Sequence, residues 1–397
     1  MNYIFSNSEW KKKLLDRFVK YVKIWSESCG EEADKGTFPS TSRQWDFAKT
    51  LADEMQAIGM QNVQVTDKCY VYGCLDATKG CENVEPILLL SHMDTVDEVS
   101  GKNVNPVITK NQDDTIISSD KTTLLGADDK AGITAIMTSI EFLLQNNGKP
   151  EFSHGLIEVI FSPDEETGHG MDFVPLNLIK SKKAYTVDGG EEGEMETECF
   201  NAWSGSVEFT GKACHTGDAK KNHMVNANLM AANFICRLPK NMRPETTENH
   251  QGFIAVMETS SSIEKSAIQL LLRAFNLKEI ENQKKIIEKA AKKASQKFCG
   301  KADIKFRQQY LNMKEKISKF PEVVANLEKA YELSGVKIIK KPIRGGTDGS
   351  RLTEMGIPCP NIFTGGHEFH SRNEWCSLNQ MSKSADVLIN LEILKNV

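Results

Sequence analysis

Five stretches of this chain gather histidines and carboxylates in patterns that suit a pair of divalent cations. A co-catalytic dinuclear site needs one carboxylate shared between the ions, a histidine and a carboxylate for each ion, and a free acid or base beside the water to be activated. His92 and Asp94 lie in Ser-His-Met-Asp-Thr, so Asp94 can receive the second ring N–H of His92 and fix its tautomer. A surface turn would use the same residues. Asp128 and Asp129, in Leu-Leu-Gly-Ala-Asp-Asp-Lys-Ala-Gly, can ligate a metal or simply cap a helix, where a carboxylate gains hydrogen bonds and a favourable dipole. Glu165 and Glu166 set two like charges side by side, where a cation would keep one ionised while the other carries a proton; an exposed acidic loop is the alternative. Asp188, in Asp-Gly-Gly, and the string Gly-Gly-His367-Glu-Phe-His370 complete the set. That last string is one residue short of the His-Glu-x-x-His zinc helix and lies among loop formers, so only one of its histidines is expected to be a ligand. Each signal is modest, but five of the right types make coincidence a poor account.

The elements needed to position these groups are legible around them. Short β-prone runs at 86–90, 156–161 and 184–187 each end in one of the polar clusters, and a helix at 129–145 lies between the first two. Strand alternating with helix predicts an α/β sheet layer. In open α/β sheets ligands bind beyond the carboxyl ends of the strands, so the three polar ends can converge on one cleft. Upstream, Trp10, Leu14, Phe18, Val19 and Val22 mark one side of a first helix. A second, opened by Thr41 or Ser42, repeats Trp45, Ala48, Leu51, Met55 and Ile58 before Gly59. From about Trp203 the texture changes, with a helix at 224–238, a strand at 252–258 and a polar helix at 278–298. The lysines of that last helix form its solvated face and Ile280, Ile286, Ile287 and Ala290 point inward. This predicts a smaller inserted α/β domain. A helix at 321–333 and a β-prone run at 336–340 then lead through Arg344-Gly-Gly-Thr-Asp-Gly-Ser back to the first domain.

At 397 residues the chain exceeds what one core serves, and about two domains are expected. With 40% hydrophobic and 26% charged residues, a net charge of -5 and a pI near 6.0, it has no general attraction for nucleic acid or anionic lipid. A short peptide suits it better as a partner, and neither nucleic acid nor a membrane is expected. No apolar run approaches the roughly 20 residues that cross a bilayer, no secretory signal is visible, and a cytoplasmic location is expected. Ten cysteines without a CxxC pair suggest reduced thiols, with Cys69, Cys74 and Cys81 as a weak metal or redox candidate. Neither GxxxxGK[ST] nor GxGxxG follows a strand, which argues against a nucleotide enzyme.

The order and spacing of SHMDT, LLGADDKAGI, FSPDEETG, VDGG, AKKNHMVNA and IRGGTDGSRLTEMGIPCPNIFTGG resemble, over nearly the whole length, the co-catalytic zinc metallopeptidase family. That family holds tripeptide aminopeptidases, aminoacylases, dipeptidases and carboxypeptidase G. The resemblance implies an α/β fold: a catalytic domain at 1–204 and 313–397 with a mixed β-sheet flanked by helices, and a smaller inserted α/β lid, a two-layer sandwich, at 205–312. It implies two divalent metal ions per chain, with zinc expected. Asp128 would bridge them, His92 and Asp188 would complete one site and Glu166 and His370 the other. Glu165 becomes the general base and Asp94 the orienter of His92, and the Asp128–Asp129 peptide is expected to be cis. His215 would donate to the oxyanion, while Arg344, helped by Arg273, would grip the terminal carboxylate of the substrate. His215 alone reads as readily as a surface histidine, and Arg344 can instead pair with Asp348. The implied activity is metal-dependent removal of the N-terminal residue from tripeptides or other short peptides, and a homodimer stays open.

The chain departs from the family pattern in three places, one of them the approach to His370 through His367-Glu368-Phe369 where relatives show aromatic and amide residues. His215-Thr216-Gly217 stands where relatives show His-Pro-Gly, and Glu191, Glu192 and Glu194 make the stretch after Asp188 unusually acidic. They would form a solvated loop or hold a peptide's ammonium group. The rival readings are a dipeptidase, aminoacylase or carboxypeptidase of the same family, and a metal-dependent binding protein that has lost turnover. Glu165 beside five candidate ligands counts against the last.

Overall fold

Along the strand Ile87–His92 the side chains alternate between two cores: Leu89 joins one, Leu88 and Leu90 the other, and all three are fully buried. A strand apolar on both faces has to be covered on both, which is the condition of a parallel strand inside an α/β layer. The computed structural model describes residues 4–111 and 113–394 and divides into two units. The larger runs to Thr197, resumes over Met313–Lys341 and again from Thr347; the smaller holds Glu198–Asn312 and Pro342–Gly346.

The larger unit is built on a mixed eight-stranded sheet in the order Gln61–Val65, Val71–Leu75, Ile157–Ser162, Ile87–His92, Ala184–Gly189, Asn361–Phe363, Glu194–Glu196, Ile339–Lys340. Its four central strands are parallel, and Ile87–His92 has Ile157–Ser162 on one side and Ala184–Gly189 on the other. The chain therefore leaves that strand to one side and returns on the other. Such a reversal of strand order opens a crevice at the carboxyl ends. The helix Ala127–Gln145 lies on the sheet and is buried nearly all round, between the helices Ser8–Val22 and Leu378–Glu392, which explains why its sequence lacks a polar stripe. A second, antiparallel sheet of Gly366–His367, Trp375–Ser377, Asp114–Ser119 and Pro106–Asn111 has no counterpart in the sequence expectations; its two-residue and three-residue strands are too short to show a period. In the helix Arg43–Ile58 the inward stripe runs through Gln44, Phe47, Ala48, Leu51 and Met55, and Trp45, expected inward, is exposed.

In the smaller unit the strands Phe253–Ser261, Lys265–Ala274, Asn201–Thr210 and Lys301–Tyr310 form one antiparallel sheet, and the helices Ala227–Arg237 and Leu277–Lys297 pack on it. The long helix buries Ile280, Ile287 and Ala290 as expected, while Ile286 is only partly buried. Its core of Val207, Phe209, Met230, Phe234, Leu270 and Leu272 is its own. The expected boundary at 204/205 falls inside the strand Asn201–Thr210, whose ladder to Lys265–Ala274 starts at Asn201. The expected return to the first domain at 313 is also interrupted. The segment Pro342–Gly346 belongs to the smaller unit, where Ile343 N–H donates to Glu198 O and Phe200 N–H to Gly345 O.

Candidate dinuclear metal centre

Three parallel strands end side by side, and each delivers one or two of the candidate groups. His92 closes the strand Ile87–His92, Asp188 stands near the end of Ala184–Gly189, and Glu165 and Glu166 follow Ile157–Ser162 after a turn. Asp128 enters from the loop that opens the helix Ala127–Gln145. There Gly126 takes a left-handed conformation (φ 82°), Asp128 and Asp129 depart from helical angles, and the peptide between them is cis, as the resemblance implies. The Asp128 side chain caps no helix amide. Its Oδ1 lies 2.9 Å from His92 Nε2 and its Oδ2 3.1 Å from His370 Nε2. His92 Nε2 is 3.5 Å from Asp188 Oδ1, and His370 Nε2 is 3.3 Å from Glu166 Oε2. One carboxylate thus offers one oxygen to each of two histidine–carboxylate pairs. Ligand atoms of His92, Asp128 and Glu166 all lie within 4.8 Å of one another, as do those of His92, Asp129 and Asp188.

Charge in this cluster is badly balanced. Burial pushes Glu166 up to about 8, with the Asp128 charge adding to it, and burial holds Asp188 at about 6 although His92 pulls the other way. Glu165 is raised well above the carboxylate range, chiefly by burial and further by Asp188, Asp348 and Glu166. Burial opposes ionisation of Asp128 as well, but hydrogen bonds from His370 and His92 outweigh it and hold this carboxyl below its ordinary range. The histidines show the converse. Burial disfavours their charged forms, yet Asp188, Asp128 and Asp94 raise His92 well above its usual value, and Asp128 and Glu166 bring His370 to about 11. Four carboxylates around two imidazoles draw in positive charge, which divalent cations would supply in place of protons. Glu166 Oε1, moreover, is buried with no hydrogen-bond partner among the described residues. Imidazole and carboxylate donors on two sides of one shared carboxylate fit a pair of metal ions.

Residues 88–391 match the family model described as Peptidase family M20/M25/M40. The chain belongs to that family. This M20/M25/M40 peptidase is 41% identical to a protein named peptidase T from Clostridium perfringens (strain SM101 / Type A), over 96% of this chain and 98% of that protein. It is 39% identical to a peptidase T from Geobacillus sp. (strain WCH70), over 97% and 98%. Among solved structures, an aminopeptidase PepT from Bacillus cereus shares its fold at TM-score 0.76 and 24% identity, covering 96% of this chain and 98% of that one. A tripeptidase from Staphylococcus aureus does so at TM-score 0.78 and 24% identity, covering 96% and 97%.

Around the M20/M25/M40 cluster several sequence expectations are refined. Asp94 is fully buried, but the nearer partner of His92 Nδ1 is its backbone carbonyl, at 3.1 Å, with the carboxylate at 3.5 Å. Both Asp94 oxygens accept backbone hydrogens instead, from Glu165 N (3.0 Å) and Glu166 N (3.2 Å), so Asp94 ties the strand end bearing His92 to the turn bearing the two glutamates. Of the pair of histidines in the 367–370 string only His370 joins the cluster; His367 stacks flat on Trp375 with ring centroids 3.8 Å apart. The acidic stretch is largely paired: Lys383 meets Glu192 at 2.6 Å and Lys341 pairs with Glu194, leaving Glu191 exposed. Cys69, Cys74 and Cys81 are buried, and none belongs to a metal-competent group among the described residues.

Three expected residues lie in the smaller unit. His215 is exposed, and its Nδ1 accepts the Gly217 N–H at 3.1 Å, so the neutral ring carries its hydrogen on Nε2 as a free donor. Arg344 does not pair with Asp348. Its Nη1 donates to Asn249 O (2.8 Å) and Gln251 O (2.9 Å), and its Nη2 to Thr247 Oγ1 (3.0 Å). Arg273 Nη1 donates to Leu272 O and Trp203 O, and its guanidinium lies over Tyr310. Both arginines spend some of their five N–H donors on backbone carbonyls, and Nε of neither takes part in these bonds.

Two contributors, Asn361 and Glu374, went unread in the sequence, and two others, Asp129 and Asp348, have roles other than those read. Asp129 accepts from Ser91 Oγ and His92 N and so steadies His92 rather than sharing the outward role of its neighbour. Asn361 accepts the Asp188 N–H (3.0 Å) and donates to Glu196. Asp348 is buried, accepts from Ser162 Oγ at 2.5 Å and is raised to about 7 by burial. Glu374 accepts three amides of the loop into Asp128. The available signal was a polar residue beside or inside an apolar strand, Asn361 before Ile-Phe and Glu374 before Trp-Cys.

Proposed function

We propose that the chain removes the N-terminal residue from tripeptides and other short peptides, at two zinc ions held by His92, Asp128 and Asp188 on one side and Asp128, Glu166 and His370 on the other. Membership of the M20/M25/M40 family and the close likeness to proteins named peptidase T make it a metallo-aminopeptidase. The observation that carries the dinuclear reading is Asp128, whose two oxygens address two separate histidine–carboxylate pairs. Bound there, two divalent ions would polarise the scissile carbonyl and make a nearby water acidic. Glu165, whose burial raises its proton affinity, takes the proton of the attacking water and delivers it to the leaving amine. Asp94 fixes the backbone from which Glu165 projects, so this proton moves along a set path. His215 is assigned the oxyanion hydrogen bond, on the strength of its free Nε2–H. The ten unpaired cysteines support a reducing compartment, the cytoplasm.

The test is hydrolysis of a free tripeptide and of its N-acetylated form, before and after chelation, with zinc restored. Wild type should lose activity on chelation, regain it with zinc and spare the acetylated peptide. Glu165→Gln should bind zinc normally while kcat falls by about 10²–10⁴-fold. Preference for the acetylated substrate would overturn the aminopeptidase reading in favour of an aminoacylase, and full activity of Glu165→Gln would remove Glu165 as the base.

A further inference from the structure

Amides at a helix start normally donate to a cap side chain or to water, but those leading to Asp128 do neither. Because the backbone there is left-handed at Gly126 and non-helical at Asp128, Leu125 N, Gly126 N and Asp128 N all point to one side. All three donate to Glu374: the first two to Oε2 at 2.8 Å each, the third to Oε1 at 3.1 Å. Glu374 is 1% exposed, so this nest of amides is closed to solvent. Its occupant comes from the segment that carries His370, four residues earlier, immediately before the strand Trp375–Ser377.

We infer that Glu374 is a positioning residue that sets Asp128 and His370 at the spacing the Glu166–His370 pair needs to take a cation. This rests on the dinuclear reading and extends it. His92 and Asp188 stand on neighbouring strands of the central sheet, locked in parallel register, and owe nothing to Glu374. His370 stands in a loop with a left-handed backbone (φ 59°), and the Glu374 carboxylate is the link from that loop to the backbone of Asp128. A glutamine cannot replace it. The amide has a single acceptor oxygen, so satisfying Leu125 and Gly126 turns its NH2 against the Asp128 N–H. Metal ligands tolerate displacements of only about 0.2 Å, and loss of groups that orient them costs roughly 10–100-fold in affinity.

The experiment is calorimetric titration of the chelated full chain with zinc, with the visible spectrum of the cobalt form as a second reading of ligand geometry. Wild type, Glu374→Gln and Glu392→Gln are compared, the last removing a buried carboxyl whose partner is Ser139, outside the cluster. Expected are two equivalents in wild type and in Glu392→Gln. In Glu374→Gln the first equivalent should stay within threefold and the second weaken tenfold or more, with a changed cobalt spectrum. Two equivalents of wild-type affinity in Glu374→Gln, or equal weakening of both, overturns the assignment. Fewer than two equivalents in wild type overturns the dinuclear reading itself. Should circular dichroism show Glu374→Gln unfolded, Glu374→Asp, which keeps both acceptor oxygens but withdraws them by one methylene, carries the same expectations.

Discussion

Gly132 occupies a point where no side chain fits: a Cβ there would lie 1.9 Å from Val187 O, 2.4 Å from Asp129 Oδ1 and 2.5 Å from Ser91 Oγ. All three of these neighbours adjoin the ligands, since Ser91 and Asp129 hold each other beside His92 and Val187 precedes Asp188. The helix that follows Asp128 can therefore seat on the two central strands only if this residue is glycine. Gly132→Ala should destabilise the chain toward the upper end of about 1–3 kcal/mol, the usual cost of overpacking, and weaken zinc binding together with stability. Urea unfolding and zinc titration would measure both, and wild-type values for the pair would mean that the helix can lift without disturbing the ligands. The sequence shows a glycine four residues after Asp128, but a glycine needed for close approach looks the same on the page as one needed for a turn.

Where the helices Ala127–Gln145 and Leu378–Glu392 meet, Ser139 Oγ donates to Glu392 Oε1 at 2.9 Å, while Oε2 is buried without a partner among the described residues. Burial raises this carboxyl to about 8, against roughly 4.3 for a free glutamate. Below about pH 4 the group is neutral folded and unfolded, and the arrangement carries no electrostatic penalty. Between about pH 4 and 8 the unfolded chain gives up the proton while the folded chain keeps it, so stability is lost as pH rises. Glu392→Gln keeps an acceptor for Ser139 and cannot ionise. It should flatten that decline and add about 1–3 kcal/mol near pH 8, read by urea unfolding at about pH 5 and pH 8. Parallel decline in both proteins would place the charge elsewhere. A comparable polar bond between elements anchors the turn that carries Glu165: Gln44 of the helix Arg43–Ile58 donates to Asp164 Oδ1 at 2.7 Å and accepts the Asp164 N–H at 3.1 Å. Long helices were legible in the sequence because their apolar period repeats over many residues. The two-residue and three-residue strands that carry the His370 loop were not, since a period of two needs more than one repeat to be seen.

At the scale of the whole chain, the smaller unit has a core of its own, apart from the two that flank the sheet of the larger, and every candidate ligand belongs to the larger unit. Ligands that bind only the folded state stabilise it by mass action, about 4 kcal/mol at a thousandfold excess over Kd. Differential scanning calorimetry of the zinc-loaded protein should therefore resolve two transitions, and chelation should lower that of the larger unit while leaving the other in place. A single transition, or equal shifts in both, would mean that the units melt as one. The segment Pro342–Gly346, which runs into the smaller unit between two stretches of the larger, adds a third and a fourth crossing of the chain that composition gave no reason to expect.

Residue types, their order and the polar ends of apolar strands are properties of the chain in one dimension, and from them came the α/β class, the inserted second domain and the five stretches of candidate ligands, within which the family resemblance named the ligands. Metal chemistry restricts ligands to a few side chains, and strand periodicity restricts where a sheet can place them, so both leave marks in the sequence. Which of two adjacent aspartates faces two histidines, and which steadies one of them, depended on backbone angles at Asp128 and Asp129 that adjacent identical residues cannot reveal. The same holds for Asp94 turning its carboxylate to the glutamate turn, for Arg344 closing on the carbonyls of Asn249 and Gln251, and for Glu374 entering a nest of amides some 246 residues away from Asp128. Hydrogen bonds between distant segments are set by where the packed sheet and helices bring those segments together, and only the tertiary structure holds that information.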